Sequence, residues 1–463
     1  MVGLFVASGG LLFGYDTGTI NGILAMDSFR RDFTTGHYDD DGKPNLIPSQ
    51  VSIIVAILSA GTFVGSLLAA PSGDRWGRRK SLIGSVGVFS FGVIFQVCAT
   101  NIPLLLVGRF FAGVGVGAVS VLVPMYQSEM APKWIRASVV NIVCEHMKGA
   151  AAYRIPMGLQ LTWAAVLSLG LLILPETPRY LIKRGFREAA AISLSRLRRL
   201  DRLHPALVEE LAEIQANHEY ELALGADTYK DIFYGSPHLG RRTLTGCVLQ
   251  MLQQLTGINF IMYYSTTFFN GANIQNPFLI SLIVNIVNVV STLPALLVIE
   301  PWGRRKLLIV GAIGMAICQF LIASFAAAVG DKMPQTANQI LVIFVSIYIF
   351  FFAASWGPVA WVVTSEIYPL KVRAKSMSIS TASNWLLNFG ISYGSPYLVE
   401  EGTGYADLGT SVFFVWGAFC VLAVIFVWCM VYETSKISLE QIDEMYERVQ
   451  NFCVFDIFCV YYG

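Results

Sequence analysis

Amide and aromatic side chains interrupt the apolar stretches in the second half of this 463-residue chain. Gln253, Gln254 and Asn259 lie in one such stretch, and Tyr264 follows them. An amide both donates and accepts hydrogen bonds, and an aromatic ring offers an apolar face, so this combination suits a neutral ligand rich in hydroxyl groups. The alternative is that the amides hold neighbouring helices together. Further candidates of the same two kinds are Asn288, Trp361, Asn384, Trp385 and Asn388.

Two charged residues also lie inside apolar stretches of the first half. Asp16 is in the middle of one stretch, and Arg109 is near the outer end of another. A charge inside a membrane is costly, and by default it indicates function and a partner of opposite charge. The structural alternative is a permanent ion pair that fixes the packing of the helices.

The composition indicates that these stretches are membrane spans. The chain is 55% hydrophobic and only 14% charged, with a mean hydropathy of +0.58, whereas soluble chains are about 25% charged. The net charge of +1 argues against a nucleic-acid partner. The eight cysteines show no metal-like spacing, and no nucleophile–base or nucleotide-binding constellation is present, so we expect neither a cofactor nor an enzyme.

Apolar runs of about 20 residues, the length that crosses a bilayer, occur eleven times. They lie near 2–24, 49–70, 81–100, 102–124, 156–174, 243–269, 277–299, 307–330, 338–363, 377–398 and 410–432. Alternate loops are rich in Lys and Arg, which places those loops in the cytosol. The expected divisions are an N-terminal transmembrane bundle at 1–174, a cytosolic loop with short helices at 175–241, a C-terminal bundle at 242–432, and a cytosolic helix and tail at 433–463.

Three motifs occur once in each half. The sequence DRWGRRK at 74–80 is echoed by EPWGRRK at 300–306. SEMAP at 128–132 is echoed by SEIYP at 365–369, and PET at 175–177 by YET at 432–434. Two similar halves in a chain this hydrophobic predict a transporter built from repeats, with its site between them.

The repeat also indicates a missing helix. Arg373 and Glu433 are 60 positions apart and enclose two predicted spans, whereas Arg136 and Glu176 are 40 apart and enclose one. The difference is about one transmembrane helix. Either segment 137–155 folds back through the protein, or the chain is an altered version of a twelve-span parent.

Five motifs in this order resemble the sugar porters of the major facilitator superfamily, most closely the fungal hexose transporters. They are the GRRK loops, VGR at 107–109, PETPR at 175–179, QQLTGIN at 253–259 and GPVAW at 357–361. The resemblance implies an all-α membrane protein of two pseudo-symmetric six-helix bundles, here with the fifth helix missing. It also implies that sugar is bound by Gln253, Gln254, Asn259, Asn288, Trp361 and Asn384, and that another sugar-binding glutamine is lost with the missing helix.

The resemblance assigns roles to charged residues as well. Asp16 and Arg109 match a pair that couples protons in some relatives, although facilitative relatives keep it too, so uniport and proton symport both stay open. Charges at the cytosolic helix ends resemble a salt-bridge network that gates the passage between bundles; the alternative is that they are simply solvated. These are Asp74, Arg78, Glu129, Arg136, Glu176, Arg179, Glu300, Arg304, Glu366, Arg373 and Glu433.

The predicted function is therefore transport of a monosaccharide, a hexose such as glucose, by alternating access. The alternatives are a membrane glucose sensor that binds without transporting, and an inactive product of a transporter gene. A sensor usually signals through a long cytosolic tail, and 31 residues follow Tyr432. We expect a monomer in the lipid bilayer of the plasma membrane, with the central loop and C-terminus in the cytosol.

Overall fold

A computed structural model shows a chain built of helices. In the part of the chain that it describes there is no β-strand, and the one β-bridge joins Tyr38 to Pro44. The described residues are 20, 22–24, 26–38, 44–127, 151–198, 200–223, 231–234, 238–271, 277–329, 335–369, 372–399, 405–435, 442 and 445–446.

The helices form two sets with a group of short helices between them. The first set is α1 (Asp27–Phe33), α2 (Pro48–Trp76), α3 (Arg78–Val97), α4 (Ile102–Gln127) and α5 (Ala151–Ile173). The short helices are α6 (Pro178–Lys183), α7 (Arg187–Arg198), α8 (Pro205–Ala223) and α9 (Asp231–Tyr234). The second set is α10 (Leu239–Leu255), α11 (Ile258–Gly271), α12 (Pro277–Trp302), α13 (Arg304–Val329), α14 (Gln335–Ala354), α15 (Trp356–Glu366), α16 (Arg373–Val399) and α17 (Val412–Met430).

Six helical stretches of the described chain are long and apolar enough to cross a membrane. They are Pro48–Trp76, Arg78–Val97, Ile102–Val123, Arg304–Val329, Gln339–Glu366 and Gly409–Met430, and each coincides with a predicted span. Two shorter apolar helices, Met157–Ile173 and Ile283–Thr292, lie in two further predicted spans. Because the span predicted at 2–24 falls almost wholly outside the described residues, the count of eleven stays a prediction, as do the domain boundaries.

Two of the predicted spans are broken in the middle. The stretch 243–269 divides at Gly257 into α10 and α11, and 338–363 divides at Ser355 into α14 and α15. Gly257 has φ of +85°, and a Cβ there would clash with the Trp416 indole, so glycine is required at this break. The carbonyl of Thr256, which the break releases, accepts hydrogen bonds from Gln319 at 2.7 Å and Tyr348 at 2.9 Å. Side chains thus satisfy backbone that lipid could not.

The orientation of α5 bears on the predicted gap. Near its start, Arg154 donates from Nη2 to the carbonyl of Ala99 (3.2 Å), just beyond the end of α3. Near its end, the carbonyl of Leu171 accepts from Nε of Arg79 (2.8 Å), at the start of α3. Helix α5 therefore runs antiparallel to α3 and parallel to α4, so Gln127 and Ala151 lie at opposite ends of the bundle. Segment 137–155, which the gap prediction concerns, lies almost entirely outside the described residues.

Helix α2 is held on one side by α4 and on another by α16. Glycines make the first contact close, since a Cβ on Gly113 or Gly117 would clash with carbonyls of α2. Helix α16 packs along α2 from the other set of helices, and the Ser378 hydroxyl donates to the carbonyl of Ser66. The two halves therefore meet along α2 and α16.

Candidate substrate-binding site

The breaks in the two spans bring a side-chain amide and backbone carbonyls together. Gln253 lies in the last turn of α10, and its Nε2 donates to the carbonyls of Trp356 (2.8 Å) and Gly357 (3.2 Å) at the start of α15. A helix start normally leaves its N–H groups free and its carbonyls engaged further along. Here the amide of one broken span also contacts carbonyls beside the break in the other, and discontinuous helices of this kind line transport sites.

Asn384 is the centre of a cluster of amides. Its Nδ2 donates to Oε1 of Gln253 (2.8 Å), to Oε1 of Gln250 (2.7 Å) and to the Gln250 carbonyl (3.1 Å). Its Oδ1 accepts from Nε2 of Gln254 at 2.7 Å. Asn384 is only 1% exposed, so α16 presents a buried amide to three residues of α10.

Gln254 extends the cluster in the other direction. Its Oε1 accepts from Nδ2 of Asn259, at the start of α11, and from Nδ2 of Asn388 at 3.3 Å. Asn388 lies one turn after Asn384 on the same face of α16, which the sequence spacing predicts. The cluster therefore contains Gln253, Gln254, Asn259, Asn384 and Asn388, five of the nine residues predicted to bind substrate.

The remaining four predicted residues have other positions. The Tyr264 hydroxyl donates to the carbonyl of Ser392 (2.5 Å), one turn beyond Asn388. Trp385 turns towards the first half, where its Nε1 donates to Oγ of Ser120 (3.3 Å). Trp361 and Asn288 are half-buried on α15 and α12, and their part in binding stays a prediction.

Three further residues that contact the cluster were not predicted to bind substrate. Gln250 lies one turn before Gln253 and Gln254, so the helical spacing contained a signal for it. Tyr263 approaches Oδ1 of Asn388 at 3.4 Å. Ser59 of α2 donates to that same oxygen at 2.7 Å; it comes from the other half of the chain, and nothing in the sequence indicates this contact.

Arg109 is buried on α4, with 1% of its surface exposed. Its Nε donates to the carbonyl of Ile54 on α2 at 2.6 Å. Its predicted partner, Asp16, lies outside the described residues, so the pairing stays a prediction.

In the first half, the charged motifs meet where the start of α3 lies beside the end of α5 and Glu176, an arrangement that we call a corner. Gly77, with φ of +92°, precedes α3, and the carboxylate of Glu176 accepts the N–H of Arg79 at 3.0 Å. The Arg79 guanidinium donates to the carbonyls of Leu171 and Leu172 at the end of α5 (2.8 and 2.6 Å). An acidic group at a helix start accepts hydrogen bonds from the free N–H groups there and interacts favourably with the helix dipole.

The second half repeats this corner. Gly303 has φ of +85°, and Glu433 accepts the N–H groups of Arg304 (2.8 Å) and Arg305 (3.1 Å) at the start of α13. Arg305 donates from Nη2 to the carbonyl of Trp428 (2.7 Å) near the end of α17. The sequence repeat is therefore a structural repeat as well.

Four residues of the predicted salt-bridge network form ion pairs at these corners. Asp74 pairs with Arg78 at 3.1 Å, and also with Lys183 at 3.8 Å. Glu366 pairs with Arg304 at 2.9 Å and accepts from the Thr434 hydroxyl at 2.6 Å.

The other described residues of the predicted network make no ion pair with one another among the described residues. Glu176 and Glu433 act as helix caps, Arg179 is exposed, and Arg373 donates to the carbonyl of Tyr368 (3.1 and 3.2 Å). Each contact joins residues of one half, so a gate between the bundles stays a prediction. Glu129, Arg136 and the side chain of Glu300 lie outside the described part.

Comparison with known proteins decides the family. The model of the family described as "Sugar (and other) transporter" matches residues 2–144 and 136–446. The chain belongs to this sugar transporter family. The predicted family and all-helical fold are confirmed, and membership makes the chain a multi-pass membrane transporter rather than an enzyme.

Individual relatives support this assignment. The "Probable glucose transporter rco-3" of Neurospora crassa is 68% identical over 472 residues, covering 97% of this chain and 80% of the relative. The "High glucose sensor RGT2" of Saccharomyces cerevisiae is 39% identical, covering 97% of this chain but 61% of the sensor. A solved structure of the proton:xylose symporter XylE bound to 6-bromo-6-deoxy-D-glucose superposes with a TM-score of 0.77 and 26% identity, covering 96% of this chain and 98% of that one.

The family model matches in two segments rather than one, and they adjoin where the sequence predicts a missing helix. The two matched segments overlap at residues 136–144. The alignment with the Neurospora relative, at 472 positions, is longer than this chain of 463 residues, so the relative contains residues that this chain lacks. The identity of what is missing stays a prediction.

Proposed function

We propose that this transporter moves a hexose, glucose first among them, across the plasma membrane by alternating access. The amide cluster around Asn384 is the observation that carries the proposal. Its amides alternate donors and acceptors in a buried setting without a formal charge among them, which is the chemistry that a neutral sugar requires. The Neurospora relative is named a probable glucose transporter, and XylE was solved with 6-bromo-6-deoxy-D-glucose bound. Both point to the same substrate class.

The cluster is already hydrogen-bonded without a sugar. A hydroxyl that enters must replace an amide–amide bond with an amide–hydroxyl bond, so the exchange leaves no buried polar group unpaired. This balance suits a carrier, which must release its substrate as well as bind it. We propose that Gln253, Gln254, Asn259, Asn384 and Asn388 contact the sugar, with Tyr264, Asn288, Trp361 and Trp385 lining its path.

Uptake of radiolabelled hexoses in cells that lack their own carriers tests the proposal. Gln254→Ala removes three amide contacts, those with Asn259, Asn384 and Asn388, each worth about 0.5–1.5 kcal/mol, and is expected to raise the KM about tenfold. Gln96→Ala is the matched control, because Gln96 is a buried glutamine on α3 whose Nε2 has no hydrogen-bond partner in the described part of the chain. Surface-expressed wild-type protein that takes up no hexose would overturn the proposal.

The same assay distinguishes the alternatives. A sensor binds sugar without uptake, which equilibrium binding of labelled glucose to the purified protein would reveal. An inactive product neither binds nor transports, and here a chain with a helix restored between Arg136 and Tyr153 should recover uptake. A protonophore should abolish accumulation by a symporter that uses Asp16 and Arg109, and it should leave a uniporter unaffected.

A further inference from the structure

Hydrogen bonds join the two halves of the transporter at three serines of the first half. Ser59 and Ser66, one heptad apart on α2, contact Asn388 and Ser378 of α16, and Ser120 of α4 contacts Trp385. The Ser59 contact differs from the others because its partner belongs to the amide cluster. Through it, the first half reaches the proposed sugar site.

Three hydroxyls fix which way the amide of Asn388 faces, and Ser59 makes the shortest of these contacts. Oδ1 of Asn388 accepts from the hydroxyls of Ser59 (2.7 Å), Ser392 (3.1 Å) and Tyr263 (3.4 Å). With its oxygen engaged on that side, the amide turns Nδ2 towards Oε1 of Gln254, at 3.3 Å. Asn388 therefore offers a donor, not an acceptor, to the cluster.

The position of Ser59 is itself set by close helix packing. On α2, Gly61 lies about 200° around the helix from Ser59, at about 100° per residue. A Cβ on Gly61 would clash with the carbonyl of Phe110, so this face of α2 is pressed against α4. Ser59, which is fully buried, points the other way towards α16. A rigid backbone thus holds its hydroxyl in place.

We propose that Ser59 is a positioning residue that orients Asn388 as a hydrogen-bond donor for the sugar. This inference rests on the proposed function, because it assigns a role within the same site. The donor geometry depends on contact between α2 and α16, so the site is completed by a residue of the other half of the protein that acts through Asn388.

The test compares uptake kinetics of Ser59→Ala with those of three further variants. Ser59→Ala is expected to raise the KM for glucose about three- to tenfold, with kcat changed less than twofold, because one orienting hydrogen bond is lost. Ser59→Thr keeps the hydroxyl and should stay within twofold of wild type. In an Asn388→Ala background, Ser59→Ala should add less than a twofold change, since the residue acts through Asn388.

Ser52→Ala is the matched control. Ser52 is a fully buried serine on the same helix, one heptad before Ser59, and its hydroxyl has no hydrogen-bond partner among the described residues. It should keep the wild-type KM. An unchanged KM in Ser59→Ala, an equal rise in Ser52→Ala, or a full additional effect in the Asn388→Ala background would each overturn the inference.

The two proposals fail in different ways. If the wild-type chain transports and Ser59→Ala is normal, only the inference falls. If the wild-type chain transports nothing, the proposed function falls, and the same variants are compared by glucose binding to the purified proteins. There a Kd that Ser59→Ala leaves unchanged, or the absence of any binding by the wild type, overturns the inference, whereas a selective rise in Kd supports it.

Discussion

Asn384 of α16 and Gln254 of α10 are joined by a hydrogen bond of 2.7 Å between Oδ1 and Nε2, deep inside the second half of the transporter. The two residues are 130 positions apart in the chain. Their contact makes one polar cluster from two spans that are otherwise largely apolar. Because the amides satisfy each other, the cluster survives without a ligand and still offers donors and acceptors to one.

The direction of the hydrogen bonds at Asn384 can be tested by Asn384→Asp. Its Nδ2 faces three acceptors, the carbonyl and Oε1 of Gln250 and Oε1 of Gln253. A carboxylate there would face those oxygens without a proton to donate, so we expect hexose uptake to fall at least tenfold, measured at equal surface expression.

The control for this substitution is Asn101→Asp. The oxygen Oδ1 of Asn101 accepts the N–H of Leu104 at the start of α4, a role that a carboxylate performs equally well. Uptake should be normal. Equal losses in both variants would mean that the added charge, and not the direction of the bonds, is responsible.

The glycine at the repeated corner should not tolerate a side chain. Gly303 has a positive φ, and a Cβ there would meet the Glu433 carboxylate that caps α13. Gly303→Ala is expected to cost about 1–3 kcal/mol and to lower the thermal unfolding temperature in detergent. Gly84→Ala, in the middle of α3 with open space around it, should be neutral or stabilising by up to about 1 kcal/mol. A Gly303→Ala protein as stable as wild type would contradict the strained-corner account.

Glu433 should contribute to stability as a helix cap. Its carboxylate accepts the N–H groups of Arg304, Arg305, Thr434 and Ser435. Glu433→Ala leaves those groups without this partner, and we expect a loss of about 1–2 kcal/mol in thermal unfolding. Glu188→Ala, an exposed acidic residue in the first turn of α7, should change stability by less than about 0.5 kcal/mol. A similar loss in both would show that acidity alone matters.

The ring of Tyr446 should contribute to stability through its contact with Arg242. The guanidinium of Arg242, which is fully buried, lies 4.2 Å from the centroid of the Tyr446 ring. Burial raises the pKa of the Tyr446 phenol far above its ordinary value, so the ring stays neutral beside the cation. Tyr446→Ala removes a large buried ring and a cation–π contact, and we expect a loss of about 3–5 kcal/mol in thermal unfolding.

Tyr446→Phe separates the ring from its hydroxyl. The phenol oxygen is buried, and no described residue forms a hydrogen bond with it, so its removal should leave stability unchanged or slightly higher. A large loss in Tyr446→Phe would show that the hydroxyl, rather than the ring, holds the segment.

Much of this protein is readable from the order of its residues. Spans near 49–70, 81–100 and 307–330 were predictable because lipid selects runs of about 20 apolar residues, whatever their partners. The family was predictable because motifs such as PETPR and QQLTGIN occur in this chain in the same order as in the family. The candidate amides stood out because polar side chains in apolar spans are rare.

Only the tertiary structure decided which of those residues meet. Periodicity could not show that α10 and α11 separate at Gly257, since the break depends on the indole of Trp416 from another helix. Nor could it show that Glu433 caps α13 instead of pairing across the bundles, or that Ser59 reaches Asn388 from 329 positions away. Sequence records the local preference for lipid or water, whereas hydrogen-bond partners depend on how helices pack, and that is a property of the folded chain as a whole.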